Sequence, residues 1–103
     1  MKIAVAATNK NEKAEISTLG ARAPFYLIFN EKGELLEALS NPFAVGGGGA
    51  GFSVAKMLAD KEVETMVAGE FGHNMLTALD ERGIVHHEVS GNAQEVVSGL
   101  LLE

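Results

Sequence analysis

The stretch of sequence that decides the fold is TMVAGEFGHNMLTALDERGIVHHEV, residues 65–89. It opens with a short apolar strand at 65–69 and closes with a second strand at 84–89, both rich in strand-forming residues. Between them the apolar residues have helical spacing, Asn74 is predicted to cap the helix, and Gly83 is predicted to end it. A strand, a helix and another strand in this order predict a right-handed parallel crossover.

The segments before this unit supply three more predicted strands. Residues 3–7 are apolar and strand-forming, and residues 24–29 and 35–39 flank a turn that contains Gly33, which predicts a hairpin. A glycine run then leads into a helix that is expected to end near Lys61. Because tight hairpins pair antiparallel, the sheet is expected to be mixed.

The segment after the central unit predicts one further helix. Asn92 and Glu95 have the spacing of a capping box. The apolar residues expected to face inward are Val96, Val97, Leu100 and Leu101. The complete element order predicts an α/β fold with three layers, α/β/α, around a mixed five-stranded sheet that has helices on both faces.

A long connection separates the first two predicted strands. Residues 9–22 are mostly polar, with Ile16 and Leu19 as the isolated large apolar residues. They are expected to form a loop, and residues 9–19 together with residues 43–51 are expected to be the most mobile parts of the chain because they have few apolar anchors.

Length and composition limit the possible functions. With 103 residues, the chain is expected to form a single domain, residues 1–103. Eight Lys and Arg against 14 Asp and Glu give a net charge of −6, which disfavours nucleic acid as a partner. With no cysteine, a metal would have to be held by His, carboxylate or substrate atoms. The first apolar run is too short for a signal peptide or a membrane span, so a cytoplasmic protein with no membrane contact is expected.

The glycine run is the most unusual feature of the sequence. Five of the 12 glycines fall between positions 46 and 51, directly before a predicted helix. Backbone N–H groups and the positive end of a helix dipole can bind an anion, but a glycine run can equally be a flexible connector. The run lacks the lysine of a Walker A motif, since Phe52 stands in its place. The candidate anion-binding residues are Gly46, Gly47, Gly48, Gly49 and Gly51.

A second candidate site is the loop that follows the strand at 65–69, because open α/β sheets bind ligands at the carboxyl ends of their strands. Glu70 and His73 have side chains that can bind a metal or exchange protons, and Asn74 lies beside them. The alternative is an ordinary exposed loop whose polar residues are solvated.

The other two histidines, His86 and His87, are adjacent in a predicted strand. Neighbouring strand residues point to opposite faces, so this pair cannot share one metal ion. One of the two is expected beneath a helix and the other at the surface. Of the three histidines, His73 is therefore the only predicted metal ligand.

Five segments of the chain form a pattern. They are MKIAVA at 1–6, RAPFYLI at 22–28, the Asn41-Pro42 pair before the glycine run, VAGEFGHN at 67–74 and LDERGI at 79–84. In this order and spacing, over nearly the whole chain, they resemble the dinitrogenase iron-molybdenum cofactor biosynthesis family.

The resemblance implies a ribonuclease H-like fold and a role in holding or carrying an iron-sulfur-based cluster. The cluster would lie among the loop after the first strand, the glycine run and the loop around His73. Carriers of this family often have one histidine before the glycine helix and another before the Arg-Ala-Pro segment, where this chain has glycines and Thr18. A nuclease would need clustered carboxylates, which the first strand does not supply.

The predicted function is that of a small binding or carrier protein, not an enzyme, for an iron-sulfur or iron-molybdenum-type cluster or a similar compact anion. Arg22 is expected to contribute charge at the site, with Lys10 and Lys56 as further candidates, and the expected protein partners are cluster donors or acceptors. One alternative is an interaction module of the same fold that has lost the ligand. Another is an enzyme that acts on a small acid through His73 and Glu70.

Overall fold

The element order predicted from the sequence is found in the structure, a computed structural model that describes residues 1–102. The described residues form five strands and three helices, and strands and helices alternate in the second half of the chain as expected. The elements are β1 (Ile3–Ala7), β2 (Phe25–Phe29), β3 (Leu35–Ser40), α1 (Ala50–Asp60), β4 (Thr65–Ala68), α2 (His73–Glu81), β5 (Val85–Glu88) and α3 (Ala93–Leu101).

The strands form one mixed sheet in the order β3-β2-β1-β4-β5. β2 is antiparallel to both of its neighbours, β1 and β3, whereas β1, β4 and β5 run parallel to one another. β1 lies in the centre, and all five of its residues are buried, which explains why it has no polar side chain. The predicted mixed five-stranded sheet is confirmed.

Two apolar clusters lie on opposite faces of the sheet. On one face, α1 and α2 pack against the strands through residues such as Leu58 and Leu79. On the other face, α3 packs through Val97 against Val5 and Phe29. Helices therefore cover both faces, and the predicted three-layer α/β/α arrangement is confirmed. The longest helix in the described part of the chain, α1, has 11 residues, and no helix there is long and apolar enough to cross a membrane.

The start of α2 differs from the prediction. Gly72, in extended conformation, is the N-cap, and its carbonyl accepts the N–H of Leu76 at 3.0 Å. His73 and Asn74 are consequently the first two residues of the helix, so the prediction that Asn74 caps it is wrong. The predicted end is confirmed, because Gly83 follows the C-cap with φ 69°, a left-handed conformation that favours glycine.

The N-terminus of α3 is capped as the sequence predicts. The Asn92 side-chain oxygen accepts the backbone N–H of Glu95 at 3.2 Å, and its amide nitrogen donates to the Lys13 carbonyl at 3.0 Å. We expect Asn92→Ala to lower the free energy of unfolding by about 1 kcal/mol, because the helix loses its cap. Urea denaturation followed by circular dichroism measures this change, and a loss below about 0.3 kcal/mol would contradict the role of the cap.

The long loop between β1 and β2 is better anchored than the sequence indicated. Ala14 and Ile16 are buried, and isolated bridges pair Ile16 with Ala7, Glu15 with Asn92, and Leu19 with Glu70. Residues 9–19 are therefore held at more points than their few large apolar side chains indicated, and their predicted mobility stays a prediction. The anchors are single backbone bridges to distant parts of the chain, and a local hydrophobic pattern does not reveal these. High mobility of residues 43–51 stays a prediction.

His86 and His87 point to opposite faces, as predicted, but both are half-buried because β5 is an edge strand. His86 lies on the α2 side, where Nε2 is 3.0 Å from the Asp80 carboxylate and the ring meets Phe71 edge to face. His87 is paired in register with Val67, which belongs to the α3 side. The expectation of one covered and one surface histidine is wrong.

Candidate functional site

Three segments of the chain meet where β1 and β4 end. They are residues 17–24 before β2, residues 41–49 after β3 and residues 69–74 after β4. The chain leaves β1 toward β2 on one side, while β4 lies on its other side, so this edge is a topological switch point of the sheet. We call the surface that these three segments form around Arg22 the Arg22 site.

The first segment crosses directly over the end of β4. The Gly69 N–H donates to the Ser17 carbonyl at 2.8 Å, and the Gly20 N–H donates to the Glu70 carbonyl at 2.9 Å. A Cβ on Gly69 would lie 2.7 Å from Thr18 Cα, which is closer than such atoms approach in proteins. The crossing therefore depends on the absence of a side chain at position 69.

Arg22 lies at the centre of the site and is half-buried. Its Nη1 donates to the Phe43 carbonyl at 3.0 Å and its Nη2 donates to the Gly47 carbonyl, so its guanidinium ties the β1–β2 loop to the glycine run. A guanidinium has five N–H donors, and these two bonds leave others for a ligand. Among the residues that line the three clefts beside it, Arg22 is the only lysine or arginine.

The three clefts differ in their walls. The first, about 110 Å³, lies between Arg22 and the glycine run, and the second, about 320 Å³, includes Glu70. The third, about 290 Å³, lies between the first turns of α1 and α2. Its lining residues are Ala21, Arg22, Ala50, Gly51, Gly72, His73, Asn74 and Met75. The N-terminal ends of two helices, with their free N–H groups, therefore lie beside one arginine.

The predicted anion-binding glycines fall into two groups. A Cβ on Gly46, Gly47, Gly48 or Gly49 would meet nothing within 4 Å, so these four are exposed and their backbone is accessible. Gly49 is the N-cap of α1 with φ 85° and has no side chain to occupy the end of the helix.

Gly51 belongs to the second group because it lies inside α1. A Cβ there would be 2.9 Å from the Met75 backbone nitrogen, so Gly51 lets the starts of α1 and α2 approach each other. Its contribution to the site is therefore the close packing of the two helices.

The other predicted site residues are placed as follows. His73 and Asn74 are exposed in the first turn of α2 and line the cleft that Arg22 shares with them. Glu70 is exposed on the second cleft, and its backbone carbonyl holds Gly20. The structure thus brings Arg22, His73 and Asn74 together, with Glu70 at one side.

The two lysines proposed as further charge partners lie elsewhere. Lys10 Nζ is 5.6 Å from the centre of the Phe25 ring, and Lys56 forms an ion pair with Asp60 at 2.9 Å on the exposed side of α1. Neither lines the clefts beside Arg22. Their predicted role in the site is not supported by these positions.

Side-chain metal ligands are sparse at the site. Within residues 1–102, no three His, Cys, Asp or Glu side chains are close enough together to hold a metal ion. His73 therefore stands as a single imidazole beside N–H donors, a donor set suited to an anion and not to a bare cation.

Sequence reasoning missed two buried polar residues beneath the site. The sequence pattern indicated Asn41 only as part of the Asn41-Pro42 pair before the glycine run, and Tyr26 only as a strand residue. Tyr26 Oη donates to the Gly20 carbonyl at 2.6 Å, and burial raises the pKa of Tyr26, which keeps this donor protonated. The available signal was a hydroxyl within the otherwise apolar stretch FYLIF.

Comparison with protein families identifies the chain's relatives. The model of the family described as dinitrogenase iron-molybdenum cofactor matches residues 1–101. None of the curated proteins is significantly similar to this chain.

Solved structures share the fold. The apo form of the orange protein from Desulfovibrio gigas superposes with a TM-score of 0.87 at 22% identity, over 97% of this chain and 86% of that protein. A Thermotoga protein provisionally described as a NifB protein superposes with a TM-score of 0.80 at 27% identity, over 96% of this chain and 85% of that protein. A Methanocaldococcus jannaschii protein provisionally described as a dinitrogenase superposes with a TM-score of 0.61 at 15% identity, over 99% of this chain and 88% of that protein. The fold class inferred from the sequence is thus confirmed.

Proposed function

The chain belongs to the dinitrogenase iron-molybdenum cofactor family, and from that premise we propose that it is a carrier, not an enzyme, that holds an anionic iron-sulfur-based cluster at the Arg22 site. The cluster is its cargo, taken from one protein and given to another. The observation that carries the proposal is the meeting of one arginine with the N-terminal ends of α1 and α2.

The donors at this site suit the chemistry of such a cargo. Iron-sulfur clusters carry negative charge in most states, and their sulfides accept hydrogen bonds. Arg22 supplies N–H groups with a full positive charge, and the helix ends supply N–H groups with partial positive charge. A preformed cluster can be held by such contacts at its surface.

The same donors also explain how the cargo could be released. A cluster bound by several cysteine thiolates exchanges slowly, whereas this chain has no cysteine. His73, exposed at the start of α2, is positioned to form at most one bond to a metal of the cluster. A single imidazole bond together with hydrogen bonds suits temporary storage.

The charge of Glu70 locates the cargo within the site. Its carboxylate lies on the second cleft, where it would repel an anion. The first and third clefts contain no acidic side chain among their lining residues. We therefore place the cluster between Gly47, Gly48 and His73, with Arg22 behind it.

The family supports the choice of cargo, since its description names the iron-molybdenum cofactor of dinitrogenase. The partners expected for a carrier in this family are proteins that make or receive the cluster.

Anaerobic reconstitution tests the proposal. The protein is incubated with iron and sulfide, with and without molybdate, separated from excess reagent and examined by absorbance and metal analysis. Retention of a cluster in stoichiometric amount supports the carrier. Failure to retain any cluster would favour an interaction module of the same fold, which the sparse side-chain ligands would then explain.

A variant of His73 tests the single side-chain bond. We expect His73→Ala to weaken retention of the reconstituted cluster about tenfold, the size of effect seen when a supporting metal contact is lost. The fold should be unchanged, because this side chain is exposed. Metal retained after gel filtration under anaerobic conditions is the measurement.

His87→Ala is the matched control, since His87 lies on the α3 side of the sheet. Equal loss of cluster in both variants would show that the His73 effect is not local to the site.

A further inference from the structure

The Arg22 site is held from beneath by one buried amide. Asn41 is 8% exposed, and its Nδ2 donates to the Ala21 carbonyl at 3.0 Å and to the Ala23 carbonyl at 2.9 Å. These are the two residues on either side of Arg22. One side chain therefore fixes the peptide groups that flank the arginine.

The same side chain also holds the segment that Arg22 contacts. Asn41 Oδ1 accepts the Phe43 N–H at 2.9 Å, and the Phe43 carbonyl accepts Arg22 Nη1 at 3.0 Å. The orientation of the amide follows from its partners, because the two carbonyls require the nitrogen and the Phe43 N–H requires the oxygen. Asn41 thus holds both the peptide groups beside Arg22 and the Phe43 peptide group that Arg22 contacts.

Building on the proposed function, we propose that Asn41 is the positioning residue of the Arg22 site. It sets the arginine and the glycine run in their binding arrangement before any cargo arrives. Preorganisation of this kind raises affinity, because the cost of ordering the site is met during folding and not during binding. In the residues that the structure describes, no buried side-chain nitrogen or oxygen lacks a partner, so this network is complete without a ligand.

The variant Asn41→Asp tests the donor role of the Asn41 amide separately from its acceptor role. The aspartate keeps an acceptor for the Phe43 N–H but has no donor for the Ala21 and Ala23 carbonyls. We expect the hydrogen bonds of Arg22 to Phe43 and Gly47 to weaken, and cluster retention to fall about tenfold, the factor that corresponds to one charge-assisted hydrogen bond.

Tyr26→Phe is the matched comparison for stability. It removes the 2.6 Å bond to the Gly20 carbonyl and the 3.2 Å bond that Asn41 Nδ2 donates to Tyr26 Oη, but it leaves both carbonyls beside Arg22 paired. If Asn41→Asp does not fold, Asn41→Ala, which removes both the donor and the acceptor, takes its place. Each variant is compared by urea denaturation and by ¹⁵N NMR of the Arg22 guanidinium in the protein without cluster.

The outcomes separate this inference from the proposed function. Greater mobility and faster exchange of the Arg22 guanidinium in the Asn41 variant, but not in Tyr26→Phe, supports the positioning role even if the native protein retains no cluster. An Arg22 signal that is unchanged in the folded Asn41 variant overturns it, even if the native protein retains a cluster. A similar change of the Arg22 signal in both variants also overturns it, because the effect would then be general loosening.

Discussion

Replacing Arg22 with glutamine is expected to weaken cluster binding about 30-fold, or about 2 kcal/mol, because a hydrogen bond to a charged group contributes more than a neutral one. Glutamine keeps polar atoms at this position but removes the charge and most of the donors. It also releases the carbonyls of Phe43 and Gly47, so the glycine run loses its tie to the β1–β2 loop. Titration of the reconstituted cluster from a donor complex, followed by absorbance, measures the change.

Two further variants identify the source of the effect. Arg22→Lys keeps the charge but loses the planar pair of donors, so it should fall between the native protein and Arg22→Gln. Lys56→Gln removes one positive charge from the exposed side of α1, where that lysine pairs with Asp60, and should bind as the native protein does. If Lys56→Gln and Arg22→Gln lose the same affinity, binding depends on total charge and the Arg22 site is not the binding site.

Replacing Gly69 with alanine is expected to lower the free energy of unfolding by about 3 kcal/mol, at the upper end of what overpacking usually costs. The added Cβ would lie 2.7 Å from Thr18 Cα and 3.2 Å from the Ser17 carbonyl oxygen. Both are backbone atoms, so no side chain can rotate away to make room. The loop would have to move off β4 and stretch the 2.8 Å bond from the Gly69 N–H.

Gly48→Ala is the matched control for that substitution. A Cβ at Gly48 would meet nothing within 4 Å, and Gly48 is outside the left-handed region of φ. Its free energy of unfolding should therefore change by less than about 0.5 kcal/mol. Equal destabilisation of the two variants in urea denaturation would contradict the crossing of the β1–β2 loop over β4 as the reason for a glycine at position 69.

The elements of this protein could be predicted because their signals are local. The alternation of short apolar runs with amphipathic stretches over residues 65–89 indicated parallel crossovers, and the turn at Gly33 indicated the antiparallel hairpin. Asn92 capped α3 as its spacing to Glu95 predicted. One boundary was wrong, since Asn74 has a side chain suited to capping but the extended backbone of Gly72 begins the helix first.

The candidate site was predicted in part. Its glycines and His73 follow predicted strands or precede predicted helices, so their place at one edge of the sheet could be inferred. The central position of Arg22 could not be derived from local pattern, because its partners are carbonyls of Phe43 and Gly47, which are 21 and 25 residues away. Every residue has a backbone carbonyl, so residue type does not indicate which carbonyl accepts a hydrogen bond.

The sequence by itself determined the strands, the helices, the mixed sheet and the anionic, cysteine-free composition, because hydrophobic period and turn chemistry act over a few residues. Only the tertiary structure decided which residues surround Arg22. Arg22 lies beside the starts of two helices, Lys56 forms an ion pair on the surface, and Asn41 is buried beneath Arg22. The physical reason is that these roles depend on contacts between residues that are distant in the chain, whose geometry exists only after the sheet has formed.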